Sequence, residues 1–269
     1  MNDGAPLAAA SGLVVRRGGR VALGPLDLRI EPREFWGVVG PNGAGKSTLM
    51  LTLAGLLKPD AGTVEVLGRG LDGSGRARRR LGGAVGLLFQ KHDFVPDMPF
   101  SVEDVVLFGR AGRGRVGSGC DAEDRDAAER ALELLGLADA RRRLYRSLSG
   151  GERRKVQLAR LVAQRAPLTL LDEPTAGLDI EWQERLTQLV AQLHAEMGGA
   201  IVMVTHDVDR LQSCCDRALL LGRGLAAACG RPEEVFTAEA LGGVFGCPMY
   251  VAHRHGRFFA HALGVAEER

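Results

Sequence analysis

A glycine-rich segment at residues 40–47 reads Gly-Pro-Asn-Gly-Ala-Gly-Lys-Ser and matches the pattern GxxxxGK[ST] at every position. It follows a short apolar run and opens a segment with helical periodicity, which is the context that this pattern requires. Glycines let the backbone wrap closely around phosphate with its N–H groups pointing inward, and the helix N-terminus adds positive potential. In such a loop Lys46 reaches the β- and γ-phosphates and Ser47 binds Mg²⁺. The residues predicted to bind a nucleoside triphosphate here are Gly40, Pro41, Asn42, Gly43, Ala44, Gly45, Lys46, Ser47 and Thr48.

A carboxylate pair follows the apolar run 168–171. Asp172 lies at the polar tip of this predicted strand, where it suits the coordination shell of Mg²⁺ beside the phosphate loop. Glu173 comes next and points elsewhere, which leaves it free to orient or deprotonate a water molecule. An Asp-Glu pair alone also fits an ordinary turn at a strand end, but the phosphate loop favours the chemical role.

A second helix start carries glycines, far from the first along the chain. Residues 148–152 read Leu-Ser-Gly-Gly-Glu, in which Ser149 is a suitable N-cap and Gly150 and Gly151 expose backbone N–H groups. Taken alone this is a capped helix. Because one chain carries two phosphate-directed helix starts, we predict that the second serves a nucleotide bound by another copy of the chain.

The elements that must position these motifs alternate between strand and helix. Strands are predicted at 35–39, 63–67, 85–89, 168–171 and 200–204, and helices at 46–57, 102–108, 121–135, 152–165 and 180–196. Short strands are predicted within 13–30, interrupted at 18–19 and 24–25. This alternation indicates an α/β protein with a parallel sheet, and the helices between 91 and 166 indicate a helical insert.

Composition narrows the class of protein. The chain has 269 residues, a formal net charge of +2 and 45% hydrophobic residues, which is ordinary for a globular protein and does not indicate nucleic-acid binding. No apolar run approaches the roughly 18 residues that span a bilayer, and the N-terminus lacks the basic start of a signal peptide. The five cysteines include no CxxC pair and are predicted to be reduced thiols. We therefore expect a cytosolic protein that serves a membrane only through a partner.

Basic clusters occur at 76–80, 110–115 and 141–143. The first and last are predicted to be solvated surface, with contact to anionic lipid or to a partner as the alternative. The middle one resembles an RNA-binding tract but has no interleaved aromatic residues, so no nucleic-acid partner is predicted.

The sequence resembles the ATP-binding cassette (ABC) family over nearly its whole length. The motifs that carry the resemblance appear in the family's order at 40–48, 90, 148–152, 172–174, 176–179 and 205–207. The resemblance implies a P-loop NTPase (RecA-like) core with a small antiparallel β subdomain and an inserted α-helical subdomain. It divides the chain into the first part of the ATP-binding core with the β subdomain (1–91), a helical signature subdomain (92–166), the second part of the core (167–235) and a C-terminal extension (236–269).

The resemblance also implies roles for individual residues. Gln90 would sense magnesium and the attacking water and link them to the helical insert. Glu173 would be the general base, and His206 would contact the γ-phosphate. Ser149, Gly150 and Gly151 would touch the γ-phosphate of ATP on the partner subunit, and Asp179 would cross the dimer interface.

Two positions depart from the family's pattern. The family usually has an aromatic side chain near Arg17 that stacks on adenine, and a guanidinium can stack on a flat ring in the same way. Arg33 stands where a turn glycine is common, which suggests a different turn conformation.

Segments 99–110 and 230–236 are similar to cassettes of metal-chelate importers, which carry iron-siderophore, haem or cobalamin; zinc and manganese importers share much of this pattern. The resemblance implies a head-to-tail homodimer at the cytoplasmic face of the membrane, with ATP and Mg²⁺ at its interface. The partners would be a transmembrane permease and, indirectly, an extracytoplasmic substrate-binding protein. The permease would dock on a groove at 91–105.

Alternatives remain open at this point. A soluble single-cassette ATPase of the Fe–S assembly type and the cassette of a lipid or drug exporter share the same motifs. Families that act on DNA carry a long coiled-coil insertion, and ribosome factors usually carry two cassettes, neither of which is found in the sequence. His253, His255 and His261 near the C-terminus are predicted not to bind metal.

Overall fold

The computed structural model describes residues 5–74, 76, 79, 81–89, 99–111, 120–211 and 214–263. Gln90, residues 91–98 of the predicted docking groove and most of the basic segment 110–115 lie outside this part of the chain. The strands are β1 (Ala8–Arg17), β2 (Arg20–Ile30), β3 (Phe35–Val39), β4 (Ala61–Val66), β5 (Arg69–Gly70), β6 (Val85–Leu88), β7 (Leu168–Asp172), β8 (Ala200–Thr205), β9 (Arg217–Gly222), β10 (Leu225–Gly230), β11 (Met249–Arg254) and β12 (Arg257–Ala262). The helices are α1 (Lys46–Leu53), α2 (Val102–Leu107), α3 (Ala122–Leu134), α4 (Gly150–Gln164), α5 (Ile180–Met197), α6 (Pro232–Val235) and α7 (Ala238–Phe245).

The central sheet has six strands in the order β10-β9-β3-β8-β7-β6. Neighbouring strands from β9 to β6 are parallel, and β10 pairs with β9 in the antiparallel sense. Every residue of β3, β7 and β8 is buried, as expected for parallel strands covered on both faces. The carboxyl ends of these three strands meet at one edge of the sheet, where α/β proteins bind their ligands.

Side chains of the central strands alternate between two hydrophobic clusters. Phe35, Val39 and Met203 face a cluster that includes the helices α2 to α5. Trp36 and Val202 face the opposite cluster, which contains α1 and the antiparallel sheet. That second sheet has four strands in the order β2-β1-β4-β5. The sheet core, the small antiparallel sheet and the helices between β6 and β7 confirm the predicted fold class.

Local details differ from the predictions in three places. Helix α1 ends at Leu53 instead of residue 57, because Gly55 adopts a left-handed conformation with φ of 69°. Strand β2 continues through Gly24 and Pro25, which were predicted to interrupt it, and the pairing with β1 shifts in register near Leu13. Arg33 has φ of 65°, the conformation that glycine favours, so the expectation of a different turn was wrong.

The sequence did not predict the elements that follow β8, namely β9, β10, α6, α7 and the hairpin of β11 and β12, nor the short strand β5. Within the described residues, no helix combines the length and the hydrophobicity needed to cross a membrane.

Candidate functional site

The phosphate loop lies between β3 and α1 and is shaped by two close backbone contacts. A Cβ atom on Gly40 would lie 2.2 Å from the carbonyl oxygen of Leu221, and one on Gly45 would lie 2.6 Å from that of Ala22. Gly45 also has φ of 101°, which L side chains rarely adopt. Glycine is therefore required at both positions for the loop to close against β2 and β9.

Lys46 lies inside this loop and is only 6% exposed. Its Nζ donates hydrogen bonds to the carbonyl oxygens of Gly40 at 2.6 Å and Pro41 at 2.9 Å. Burial lowers the pKa of Lys46, and the nearby carboxylates of Glu173 and Asp172 oppose that shift. The buried ammonium group provides a positive charge where the sequence predicts the terminal phosphates.

Ser47 and Asp172 meet across the space between α1 and β7. The Ser47 hydroxyl donates a hydrogen bond of 3.2 Å to Oδ2 of Asp172. Burial raises the pKa of Asp172, while this hydrogen bond and the charge of Lys46 act in the opposite direction. A hydroxyl and a carboxylate side by side are hard oxygen donors, so the donor set suits Mg²⁺.

Glu173 follows Asp172 and faces His206 in the loop that follows β8. Its backbone adopts φ of 45°, and its N–H donates to the carbonyl oxygen of Val204 at 2.9 Å. Nδ1 of His206 lies 2.9 Å from Oε1 of Glu173; since a carboxylate only accepts, the ring donates this hydrogen bond. The carboxylate is buried and the imidazole is exposed, so the pair joins the interior to the surface.

The phosphate loop, Asp172 and Glu173 surround one cavity of about 270 Å³, and His206 is not among its described lining residues. The cavity is lined by Ala22, Asn42, Gly43, Ala44, Gly45, Lys46, Ser47, Thr48, Asp172 and Glu173. Sequence positions separated by more than a hundred residues are thus brought together at the carboxyl edge of the sheet.

The predicted signature and Asp179 lie elsewhere among the described residues. Ser149 accepts a hydrogen bond from the N–H of Glu152 and caps α4, and Ser149 and Gly150 are exposed. An added Cβ on Gly150 or Gly151 would meet open space. Asp179 is exposed and caps α5 by accepting from the N–H of Trp182.

Arg17 is exposed at the end of β1, opposite Arg20 in the register with β2. It does not line the described cavity, and its role in adenine binding stays a prediction. Gln90 lies outside the described residues, so its role also stays a prediction.

Arg154 on α4 is a buried residue at the site that sequence reasoning missed. Its guanidinium donates to the carbonyl oxygens of Asp172 at 3.1 Å, Glu173 at 2.7 Å and Pro174 at 3.2 Å, and also to that of Phe89. Burial lowers its pKa to about 10. The sequence did contain a sign of this role. Arg154 precedes Leu158 by four residues and Leu161 by seven, so a charged residue falls on the apolar, buried face of the predicted helix.

Comparison with known proteins gives consistent matches. The sequence profile of the family described as ABC transporter matches residues 23–176. The hemin import ATP-binding protein HmuV of Streptomyces coelicolor is 42% identical over 248 residues, covering 92% of this chain and 86% of that protein. The Fe(3+) ions import ATP-binding protein FbpC of Streptomyces avermitilis is 38% identical over 84% of this chain and 63% of that protein.

Solved structures agree with the sequence relatives. A chain from an inward-facing conformation of an ABC transporter of the metal-chelate type superposes with a TM-score of 0.80 and 27% identity, covering 97% of this chain and 98% of that chain. A dimeric bacterial ABC transporter cassette superposes with a TM-score of 0.73 and 26% identity, covering 83% and 98%.

Proposed function

Because the chain belongs to the ABC transporter family and is an ATP-binding subunit of that family, we propose that it hydrolyses ATP to drive import of a metal chelate of the haem class. The observation that carries the ATPase proposal is the convergence of Lys46, Asp172 and Glu173 on one cavity. The similarity to HmuV and to the metal-chelate transporter supports this cargo class, and the similarity to FbpC supports iron import more broadly.

The proposed hydrolysis uses groups that are already placed by the fold. The backbone of the phosphate loop and Lys46 bind the β- and γ-phosphates of ATP. Ser47 and Asp172 would hold Mg²⁺, which supplies charge neutralisation at the phosphates. Glu173 accepts a proton from the attacking water while the water oxygen forms a bond to the γ-phosphorus. The bond from the γ-phosphorus to the bridging oxygen breaks, and that oxygen leaves as part of ADP. His206 orients the Glu173 carboxylate through their hydrogen bond.

The proposed site is completed by a second copy of the chain. Ser149 and Gly150 are exposed at the start of α4, and an added Cβ on Gly150 or Gly151 would meet open space. The N–H groups of the two glycines and the Ser149 hydroxyl can bind an anion held by another molecule, while the N–H of Ser149 donates to the Glu152 carboxylate. Asp179 is exposed at the start of α5. We propose a head-to-tail homodimer in which each ATP lies between one phosphate loop and the opposite signature.

The proposed assembly places this dimer at the cytoplasmic face of the membrane, beneath a transmembrane permease that receives cargo from an extracytoplasmic substrate-binding protein. The permease would dock on the segment 91–105, which follows β6 and Gln90. The homologous import subunits support a permease partner.

The decisive experiment compares ATP turnover and ATP-dependent dimerisation of the wild type with Glu173→Gln. Removing a general base lowers turnover by roughly 10²–10⁴-fold and leaves ATP binding intact, so the variant accumulates as an ATP-bound dimer. Glu65→Gln, at an exposed position on β4, is the matched control and keeps wild-type turnover. Undiminished hydrolysis by Glu173→Gln would overturn the assignment of the base.

A further inference from the structure

The C-terminal hairpin of β11 and β12 lies outside the stretch matched by the family profile, yet it packs on the core. Phe258 is 8% exposed, and its ring contacts Phe236 edge-to-face with centroids 5.5 Å apart. Met249, Val251 and Ala260 pack against the same cluster from the inner face of the hairpin. The ring of His253 stacks on Phe258 at 4.4 Å. The hairpin is therefore attached to the core by an apolar face.

One polar contact joins the hairpin to the turn that follows His206. The N–H of Ala260 donates a hydrogen bond of 2.8 Å to Oδ1 of Asp209. Asp209 belongs to a 3₁₀ turn, Val208–Arg210, which begins at the N-cap residue Asp207 directly after His206. The same Asp209 donates its N–H to the Asp207 carboxylate at 3.1 Å. Strand β12 thus contacts the turn that directly follows the histidine loop, residues 206–207, which carries His206.

A second polar contact joins the hairpin to α5. Arg257 donates from Nη2 to Oε1 of Glu184 at 2.6 Å and from Nη1 to Oε2 at 3.2 Å, a two-point pair. The pairing lowers the pKa of Glu184 and raises that of Arg257. Helix α5 begins directly after Asp179, the residue proposed to cross the dimer interface. A paired guanidinium and carboxylate fix direction as well as distance, because both groups are planar.

We propose that this hairpin is a strut between the histidine loop and α5, and that Asp209, Arg257 and Glu184 are positioning residues for ATP hydrolysis. The proposal rests on the proposed function. His206 stands in a loop with an exposed side chain, and its place beside Glu173 depends on the turn that follows it. The strut sets that turn relative to the helix that starts at the dimer interface, so closure of the dimer reaches His206 through α5 and the hairpin.

The strut should affect turnover and spare ATP binding. No residue that lines the described phosphate cavity belongs to the hairpin. A loosened strut misplaces His206 relative to Glu173 and lowers kcat, whereas the phosphate loop on β3 and α1 keeps its geometry. A role confined to stability would instead lower kcat, ATP affinity and Tm together.

The first test compares Arg257→Gln and Glu184→Gln with Arg254→Gln, an exposed arginine opposite Arg257 in the hairpin register. We expect kcat to fall about threefold to tenfold in the first two variants and to stay at the wild-type value in the third, with ATP affinity unchanged in all. The exchanged pair, Glu184→Arg with Arg257→Glu, should recover most of the loss. Equal kcat in all three single variants, or a parallel loss of kcat, affinity and Tm, overturns the proposal.

The second test addresses the contact at Asp209. Asp209→Asn keeps an oxygen that can accept from Ala260 and should retain most of the turnover, whereas Asp209→Ala removes the acceptor and should lose turnover at constant ATP affinity. Equal turnover in these two variants contradicts a positioning role. If the wild type itself binds ATP and does not hydrolyse it, the failure is that of the proposed function. Failure of the strut proposal is recognised separately, by a wild type that hydrolyses ATP and by Asp209 variants that do so equally well.

Discussion

At the scale of single residues, the site is built from charges held out of water. Lys46, Asp172 and Arg154 are each less than 10% exposed, and burial shifts the pKa of each toward its neutral form. Such charges cost stability when they are unpaired, and they are retained where they have a task. A bound phosphate group and a divalent cation would compensate Lys46 and Asp172 respectively. The same buried charges that lower the stability of the free protein are therefore expected to raise its affinity for nucleotide.

This argument predicts the behaviour of Asp172→Asn without nucleotide. The folded protein raises the pKa of Asp172, so stability declines as pH rises through the ordinary Asp range toward that raised pKa, and stays lower above it. Asn can still accept from Ser47 and carries no charge, so the variant should melt at higher temperature than the wild type at pH 7. Each kcal/mol corresponds to roughly 2–4 °C in a chain of this size.

The difference in Tm should shrink as the pH is lowered toward 4, which thermal melting across a pH series would measure. Asp126→Asn, at an exposed position on α3, is the control and should follow the wild type at each pH. A wild-type Tm equal to or above that of Asp172→Asn at pH 7 would contradict the electrostatic account.

The sequence predicts contiguous parts of the site better than dispersed ones. The phosphate loop depends on neighbouring residues and their local conformations, so its pattern alone identified it. The contacts of Arg154 depend on how α4 packs against the end of β7, which periodicity does not specify. Arg33 shows the same limit, because its φ of 65° is imposed by the surrounding fold on a residue that disfavours it.

At the scale of elements, α4 connects the outward-facing signature to the sheet. Ser149 lies at its start, and Arg154 bonds to the backbone at the end of β7. Further along, Arg160 donates to the carbonyl oxygen of Leu87 and Gln164 to those of Gly83 and Val85. Strand β6 is followed closely by Gln90 and the proposed permease-docking segment. A partner that displaces α4 should therefore also shift β6, and through it the start of that segment.

The two roles of Ser149 can be separated by comparing two helix caps. Both Ser149 on α4 and Asp121 on α3 form capping boxes, with Glu152 and Asp124 respectively. Replacing either by Ala should cost about 0.5–2 kcal/mol of stability. Only Ser149→Ala should also lower ATP turnover, because of these two helix starts only that of α4 is proposed to contact a bound nucleotide.

Denaturant unfolding and steady-state ATPase assays on both variants would test this. If Asp121→Ala loses as much turnover as Ser149→Ala at equal loss of stability, the effect at Ser149 is one of helix capping alone.

The elements that were predicted differ in kind from those that were missed. Strands β3, β7 and β8 are short, wholly buried and mostly apolar, and each is followed directly by glycine or a charged or polar residue, so their position was clear. Strand β10 has the sequence Leu-Ala-Ala-Ala-Cys-Gly and lies at a sheet edge, partly exposed. Its small side chains carry weak strand preference, and its pairing with β9 is what specifies it.

At the scale of the whole molecule, the exposed surfaces indicate that a single chain does not contain a complete ATP site. The phosphate cavity lacks the signature residues among its described lining, while two of them, Ser149 and Gly150, stand exposed at the start of α4. Ile180, next to Asp179, is 80% exposed, which is unusual for an isoleucine unless another surface covers it. A symmetric pair of chains satisfies both features, because each chain supplies what the other lacks.

This symmetry predicts that two inactive variants complement each other when mixed. Lys46→Ala removes the phosphate-binding ammonium, and Gly150→Asp places a carboxylate at the signature, where an added side chain meets open space and should not disturb folding. In a mixed dimer both defects fall in one site and the other site is intact. Since half of the dimers are mixed at equal concentrations, turnover should return to about a quarter of the wild-type value.

The control is a mixture of Lys46→Ala with Glu173→Gln. Both residues line the same cavity of one chain, so each site of a mixed dimer carries one of the two defects and no recovery is expected. Recovery in the first mixture and not in the second requires that the signature of one chain act on the nucleotide of the other. Equal turnover in both mixtures would mean that each chain completes its own site, and the exposed signature would then need another explanation.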